Sequence, residues 1–169
     1  MRFGKDLIGK SIVSMDEGRI IGTVRDIYLD GNLERLIGLH LGREGLISRK
    51  SKLIPRTAIA VMGVDVILTK TSDVVTDDKV HEEAANWILL DKLQGREVDT
   101  SGRTKVGHVG DVILNEDAYV VGFTLSRVYV EGPIAQSRTV LREAILDNGN
   151  ADGTMTVDLV KLEQQSKEN

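Results

Sequence analysis

The stretch with the most recognisable chemical pattern is residues 4–11, which read Gly-Lys-Asp-Leu-Ile-Gly-Lys-Ser and formally match the phosphate-binding loop G-x-x-x-x-G-K-[ST]. In that loop, backbone N–H groups and the N-terminus of the following helix surround the phosphate. Here the chain runs instead through Ile12-Val13-Ser14 into a turn at Asp16-Glu17-Gly18. We therefore expect neither a nucleotide nor another cofactor to bind at this stretch.

Three histidines, His40, His81 and His108, are the other residues suited to metal binding or proton transfer. They share no spacing, no two of them stand four residues apart, and the chain contains no cysteine, so we expect no zinc site. Each is interpreted as a surface residue. The Gly-x-Ser-x-Gly pattern of many hydrolases does not occur. The sequence thus predicts a non-enzyme, although a catalytic site built from distant residues would leave no such motif.

Two aspartates occupy matching places in two similar blocks. The blocks are Gly22-Thr23-Val24-Arg25-Asp26-Ile27 and Gly107-His108-Val109-Gly110-Asp111-Val112. In both, the alternation of apolar residues changes phase at the aspartate, which predicts a β-bulge or sharp bend there. A short carboxylate at a bend can accept local backbone N–H groups. The candidate structural motif is therefore Gly22, Asp26, Gly107 and Asp111; the competing interpretation, a metal-binding or catalytic carboxylate, lacks a second ligand nearby in sequence.

Basic residues gather after the apolar segment at residues 36–41, with only Glu44 opposing them. They form the candidate interaction patch Arg43, Arg49, Lys50, Lys52 and Arg56. The patch is interpreted either as a solvated loop or as a docking site for an acidic protein surface or RNA. RNA sites usually add stacking aromatic residues, which this segment lacks. A net charge of −4 also disfavours general binding of polyanions.

These residues sit in a longer internal repeat. Matching positions stay 84 to 86 residues apart through four separate blocks, which indicates a duplication. Besides the aspartate blocks, the matching segments are residues 7–12 with 93–98, residues 36–41 with 120–125, and residues 56–59 with 142–145. Within each copy, apolar residues alternate with others and turn residues recur at short intervals, which predicts short strands of a small barrel or sandwich.

The connector between the copies has a different pattern. Thr76 is a suitable N-cap, and Val80, Ala84, Trp87 and Ile88 follow at the spacing of one apolar helical face. This predicts a short helix that packs between the two copies. Trp87, the only tryptophan, is interpreted as a packing anchor in preference to an exposed binding residue.

Together the blocks resemble the PRC-barrel family, which includes the cytoplasmic barrel of the photosynthetic reaction-centre H subunit and the C-terminal domain of a ribosome maturation factor. The resemblance lies in three motifs that occur twice: the opening Leu-x-Gly-Lys/Arg at Leu7 and Leu93, the Gly-x-Val-x-Asp blocks, and the apolar strands around Gly38 and Gly122. It implies a mainly β fold with two small PRC-type β-barrels in tandem. It implies no particular chemistry, because a fold does not fix a function.

The expected domains are a first barrel at residues 1–75, a connecting helix at 76–91, a second barrel at 92–162 and a polar tail at 163–169. We expect a cytoplasmic, non-catalytic adaptor that binds protein partners or forms a homo-oligomer, without cofactor. No apolar stretch reaches the length of a membrane helix, so no membrane insertion is expected. The alternative is an RNA-processing or ribosome-assembly accessory protein that uses the basic loop. A third possibility, a hydrolase or small-molecule binder, would require a deep polar pocket between the barrels.

Overall fold

The structure is a computed structural model, which describes residues 1–47, 49–150 and 153–165. The N-terminal half contains nine strands, which are β1 (Arg2–Phe3), β2 (Ser11–Ser14), β3 (Ile20–Thr23), β4 (Asp26–Leu29), β5 (Leu36–Glu44), β6 (Lys50–Pro55), β7 (Ile59–Met62), β8 (Val66–Thr69) and β9 (Thr76–Asp77).

The C-terminal half contains seven strands and three short α-helices within the described ranges. The strands are β10 (Ile88–Leu89), β11 (Glu97–Thr100), β12 (Lys105–Leu114), β13 (Val120–Val128), β14 (Thr139–Leu141), β15 (Ile145–Asp147) and β16 (Met155–Val157). The helices are α1 (Leu90–Leu93), α2 (Pro133–Ser137) and α3 (Leu159–Gln165). Helix α3 extends into the segment predicted as a polar tail, of which residues 166–169 lie outside the described ranges.

The strands form three open sheets, so the prediction of a mainly β chain is confirmed. Their orders are β10-β4-β5-β6-β9, β3-β2-β8-β7 and β14-β13-β12-β11-β16-β15, with β1 added beside β12. The prediction of two β-barrels needs a correction, because none of the three sheets closes on itself across the described strands. One physical reason is that the 3-10 turns Arg56–Ala58 and Arg142–Ala144 separate β6 from β7 and β14 from β15, so these neighbours in sequence do not pair.

The same pairing pattern occurs in both halves. Strand β2 pairs antiparallel with β3 and parallel with β8, just as β11 pairs antiparallel with β12 and parallel with β16. The antiparallel series β4-β5-β6 likewise has its counterpart in β12-β13-β14. The long strand β12 corresponds to β3 and β4 together, since β3 and β4 are interrupted at Val24-Arg25. In β12 the register shifts between Val109 and Asp111, where the bulge is predicted.

Each half begins with a segment that packs into the other half. Strand β1 pairs with the end of β12, with Arg2 opposite Leu114, while β10 pairs with the end of β4, with Ile88 opposite Leu29. Between these exchanged segments the two halves also touch through an isolated bridge that joins Arg35 to Tyr119. Beside this bridge, the N–H of Leu36 donates to the carbonyl of Ala118, and the N–H of Val120 donates to that of Glu34. The molecule therefore has an approximate two-fold relation between its halves.

Both halves contribute to one apolar core. Leu7 and Leu93, which stand at equivalent places in the opening turns of the two halves, are fully buried, and Phe123 is the largest fully buried side chain among the described residues. Burial of a leucine or phenylalanine stabilises the fold by about 1.5–3 kcal/mol relative to its exposure. The exchanged segments are therefore held by apolar packing as well as by strand pairing.

The prediction of a connecting helix at residues 76–91 needs a second correction. Residues 78–87 form two 3-10 turns, Asp78–Val80 and Glu82–Asn86, instead of one amphipathic helix, and Val80 is exposed. The N-cap is Asp77, whose carboxylate accepts the N–H of Lys79, and not Thr76. A continuous helix is prevented because strand pairing holds the segment at both ends, through β9 against β6 and through β10 against β4.

Candidate interaction surface

The five basic residues of the predicted patch do not form one positive surface. Lys50 lies 3.7 Å from the Asp77 carboxylate and Lys52 lies 3.9 Å from that of Glu44. Arg56 belongs to a 3-10 turn, where one guanidinium nitrogen donates to the carbonyl of Ile59 at 3.5 Å. Arg43 and Arg49 remain exposed at the end of the β5–β6 hairpin. The predicted patch is thus reduced to two arginines.

The tip of that hairpin carries two apolar side chains that the basic pattern concealed. Leu46 and Ile47 are fully exposed, and the strands beneath them are paired up to Glu44 and Lys50. Such side chains do not stabilise the fold, because they bury no apolar surface in it. Arg43 and Arg49 flank the tip, so a partner that binds here would meet apolar and positive groups together.

A continuous apolar row crosses the solvent-facing side of the sheet β3-β2-β8-β7. Ile20 pairs with Val13, Val13 pairs with Leu68, and Leu68 pairs with Val61. The neighbouring residues Ile12 and Ile67 are fully buried, so alternation turns the row away from the core. Ile20 is 63% exposed and Val61 is 48% exposed. We call these four residues, Ile20, Val13, Leu68 and Val61, the apolar row.

The corresponding row in the C-terminal half is polar. Lys105 pairs with Asp99, Asp99 pairs with Thr156, and Thr156 pairs with Asp147. The hydroxyl of Thr156 donates to the carboxylate of Asp99 at 3.1 Å. Because the same strand arrangement is built with polar residues here, the fold does not require apolar ones on this face. The apolar row is therefore a property of the N-terminal half alone.

The two motif aspartates are buried acceptors of backbone N–H groups. Asp26 accepts from Ile27 at 2.8 Å and from Asp91 at 3.3 Å, and Asp111 accepts from Val112 at 2.8 Å and from Lys5 at 3.2 Å. Burial raises the pKa of both carboxyls, and these N–H donors partly oppose the rise. This geometry agrees with the structural interpretation of the motif.

The two motif glycines meet different surroundings. A Cβ atom at Gly107 would collide with the backbone carbonyl oxygen of Arg127, which cannot move independently of its strand. A Cβ at Gly22 would lie 3.1 Å from a methyl group of Leu41, at the flexible end of a side chain. Gly107 is thus required by close approach of two backbones, whereas Gly22 is not.

A buried polar cluster lies under the connecting segment. The Tyr28 hydroxyl is 3.0 Å from Nδ1 of His40, and both side chains are buried. Trp87 packs on Tyr28 with ring centroids 5.5 Å apart, and His81 packs on Trp87 with ring centroids 5.3 Å apart. The interpretation of His40 as a surface residue was wrong, because the connecting segment covers its side of the sheet.

The cluster is electrostatically neutral at its centre. Burial lowers the pKa of His40, and Asp26, opposite it in the sheet, partly opposes this effect. Burial also raises the pKa of Tyr28, although a hydrogen bond with Ser51 acts in the other direction. Both groups are therefore held in their uncharged forms, and the tautomer of His40 sets which of the two donates the hydrogen bond.

Neither the histidines nor the carboxylates converge on a metal site. No group of three or more His, Asp or Glu side chains within residues 1–47, 49–150 and 153–165 is arranged to hold an ion. His40 and His81 both belong to the ring cluster around Tyr28 and Trp87, whereas His108 lies against Tyr129 in the other half.

Sequence reasoning missed the apolar row and the hairpin tip. The row could not be found from sequence because its four members come from four strands whose register is set by folding. The tip could have been found, since Leu46-Ile47 is an apolar pair between the charged segments Gly42-Arg43-Glu44-Gly45 and Ser48-Arg49-Lys50.

Comparison with known proteins supports the PRC-barrel resemblance for the N-terminal half. No helix in the described part of the chain is long and apolar enough to cross a membrane. No curated protein matches the sequence significantly. The family model of the PRC-barrel domain matches residues 1–78, which contain both sheets of the N-terminal half apart from β10. Residues 1–78 of this chain are therefore a PRC-barrel domain.

Proposed function

We propose that the chain is a non-catalytic protein-interaction module, and that the apolar row of the N-terminal half is its docking face. The observation that carries this proposal is the contrast between Ile20-Val13-Leu68-Val61 and the polar residues in the corresponding row of the other half. An exposed apolar patch with no role in the fold is typical of a protein contact surface.

The geometry of the row favours a protein partner. Ile20 and Val61, its most exposed members, lie on the outer strands β3 and β7, so the row spans the whole width of its sheet. Met15, which directly follows β2, is 59% exposed and adds apolar surface at this end of the strand. A flat apolar surface of this kind fits another sheet or an amphipathic helix. The hairpin tip with Leu46 and Ile47 offers a second, smaller contact.

We further propose that residues 92–162 are a second, diverged copy of the PRC-barrel domain, which makes the chain a tandem protein. The equivalent strand pairing of the two halves and the repeated Asp26 and Asp111 contacts support this. The apolar row in the first copy and the polar residues at the corresponding positions of the second would then assign the binding role to the first copy. The lack of cysteine is compatible with a reducing, cytoplasmic location.

The test is affinity capture of the tagged chain from its native cells, at low and high salt, combined with light scattering of the purified protein. The variant is I20T/V61T, which keeps β-branched side chains and removes apolar surface. The matched control is K105T/D147T in the polar row. We expect discrete proteins, or a second copy of the chain, to be retained at high salt by the wild type and the control, and lost in I20T/V61T.

Two results would contradict the proposal. One is a lone monomer without retained proteins. The other is RNA, with ribosomal proteins, that is released by salt and lost when Arg49, Lys50 and Lys52 are changed to glutamate. The second result would support the RNA-accessory alternative, because phosphate contacts weaken steeply with salt.

A further inference from the structure

A pocket of about 320 Å³ lies between the β4-β5-β6 sheet and the connecting segment. One wall is aromatic, formed by Trp87 against Tyr28. Arg43 and Lys92 line the pocket from opposite parts of the chain, one on β5 and one on α1. Neither of them makes an ion pair within the described residues. The pocket thus combines an apolar surface with two available positive charges.

The floor of the pocket is built from buried polar side chains. Tyr28 and Ser51 are each 7% exposed, and Tyr28 is hydrogen-bonded to His40 behind it. In the other half, Ile113 occupies the position that corresponds to Tyr28, and Thr124 occupies the position that corresponds to His40. Buried polar networks lower stability unless every member is satisfied. Since an apolar residue serves in the other half, the polar floor is not needed for the fold.

The pocket also contains one acceptor. Asp78 lines it, and one of its oxygens accepts the N–H of Ser51 at 3.0 Å. A carboxylate has about four acceptor positions, so Asp78 can receive a further donor from a ligand. Asp78 and Arg43 both line the pocket together with Tyr28.

We propose that this pocket binds a small carboxylic acid that carries a hydrogen-bond donor beside its carboxylate, as α-amino acids and α-hydroxy acids do. The carboxylate lies between Arg43 and Lys92, the amine or hydroxyl donates to Asp78, and an apolar side chain rests on Trp87. The volume is at the lower end of ligand pockets, which limits the ligand to this size class. This site is separate from the apolar row and adds to the proposed function.

The test uses the fluorescence of Trp87, which is the only tryptophan and lines the pocket. The full-length protein is titrated with four compounds of equal shape: L-leucine, 2-hydroxy-4-methylpentanoate, 4-methylpentanoate and leucinamide. The first two distinguish an amine donor from a hydroxyl donor. The third lacks the donor and the fourth lacks the carboxylate. We expect a saturable change with at least one of the first two, and at least tenfold weaker binding of the last two.

Variants decide whether the response comes from this pocket. R43Q and K92Q should each raise the Kd about tenfold, because each removes a charge-assisted hydrogen bond to the carboxylate. R127Q, at the position in β13 that corresponds to Arg43, should bind like the wild type. The proposal is wrong if neither acid gives a saturable change at the highest soluble concentration. It is equally wrong if R43Q and K92Q bind as the wild type does, or if 4-methylpentanoate or leucinamide binds as tightly as the better of the first two compounds.

Discussion

The carboxylate of Asp111 accepts the backbone N–H of Lys5, which stands 106 positions earlier in the chain. Asp26 accepts the N–H of Asp91 in the same manner across 65 positions. Lys5 and Asp91 occupy equivalent places in the opening turns of the two halves. Each half therefore supplies the aspartate that fixes the first turn of the other.

The first prediction concerns these two aspartates. In D26N and D111N, an amide NH₂ replaces one acceptor oxygen and faces a backbone N–H donor. We expect each variant to lower the free energy of unfolding by about 1–3 kcal/mol, the cost of leaving a buried polar group unsatisfied. Urea denaturation followed by circular dichroism measures this loss. D65N, an exposed position in the β7–β8 turn, serves as the control. Equal stability of D26N, D111N and D65N would contradict a structural role for the motif.

The second prediction is that both halves unfold together. The exchanged strands β1 and β10 and the shared core join them, so neither half keeps its full set of contacts when the other unfolds. Native-state hydrogen exchange should give the same opening free energy for the slowest amides of β5 and of β13. Two groups of amides that differ by more than about 2 kcal/mol would mean that the halves are independent domains.

The third prediction separates the two motif glycines. G107A places a methyl group against the carbonyl oxygen of Arg127, so we expect a loss of about 1–3 kcal/mol, as for other overpacked sites. G22A meets only the flexible end of Leu41, so we expect a change within about 1 kcal/mol. Thermal and urea unfolding of the two variants side by side make the comparison. A larger loss in G22A than in G107A would show that the close approach at Gly107 is wrong.

The fourth prediction is a pH dependence that comes from His40. Burial lowers its pKa in the folded protein below the value of about 6.5 in the unfolded chain. Between these two values the unfolded chain binds more protons, so stability rises with pH and is lost as the pH falls below about 6.5. The free energy of unfolding of the wild type should therefore decline from neutral pH downward, and this part of the decline should be absent in H40Q.

The matched control for this experiment is H108Q, which removes the partly exposed His108–Tyr129 pair of the other half. We expect H108Q to keep the pH dependence of the wild type. If the decline persists in H40Q and disappears in H108Q, burial of His40 is not its cause.

The sequence contained enough information for the strands, for the break between β3 and β4 before Asp26 and for the register shift at Asp111, because alternation and its phase break are local patterns. It could not show the exchange of β1 and β10. Two halves with the same opening motif offer each aspartate two equivalent turns, and only packing decides between them. His40 was misjudged for a similar reason: its position in the strand indicated a solvent-facing side chain, but the connecting segment folds over that side.

The candidate site was harder to predict than the fold. Charge runs are visible in sequence, yet Lys50 and Lys52 are each within 4 Å of a carboxylate, which no spacing rule indicates. The apolar row became visible only through the register of four strands. Its significance came from comparison with Asp99 and Thr156 at the corresponding positions, a comparison that the duplicated pairing makes possible.

The exchange of opening segments also constrains the order of events during synthesis. When the first 78 residues have left the ribosome, the edge of β4 still lacks β10, and the carboxylate of Asp26 still lacks the N–H of Asp91. Residues 2–3, although made earlier, have no strand to join until β12 is complete at Leu114. The nascent chain must therefore hold residues 2–3 unpaired until Leu114 has been synthesised, which makes this segment the last strand of the N-terminal half to find its place.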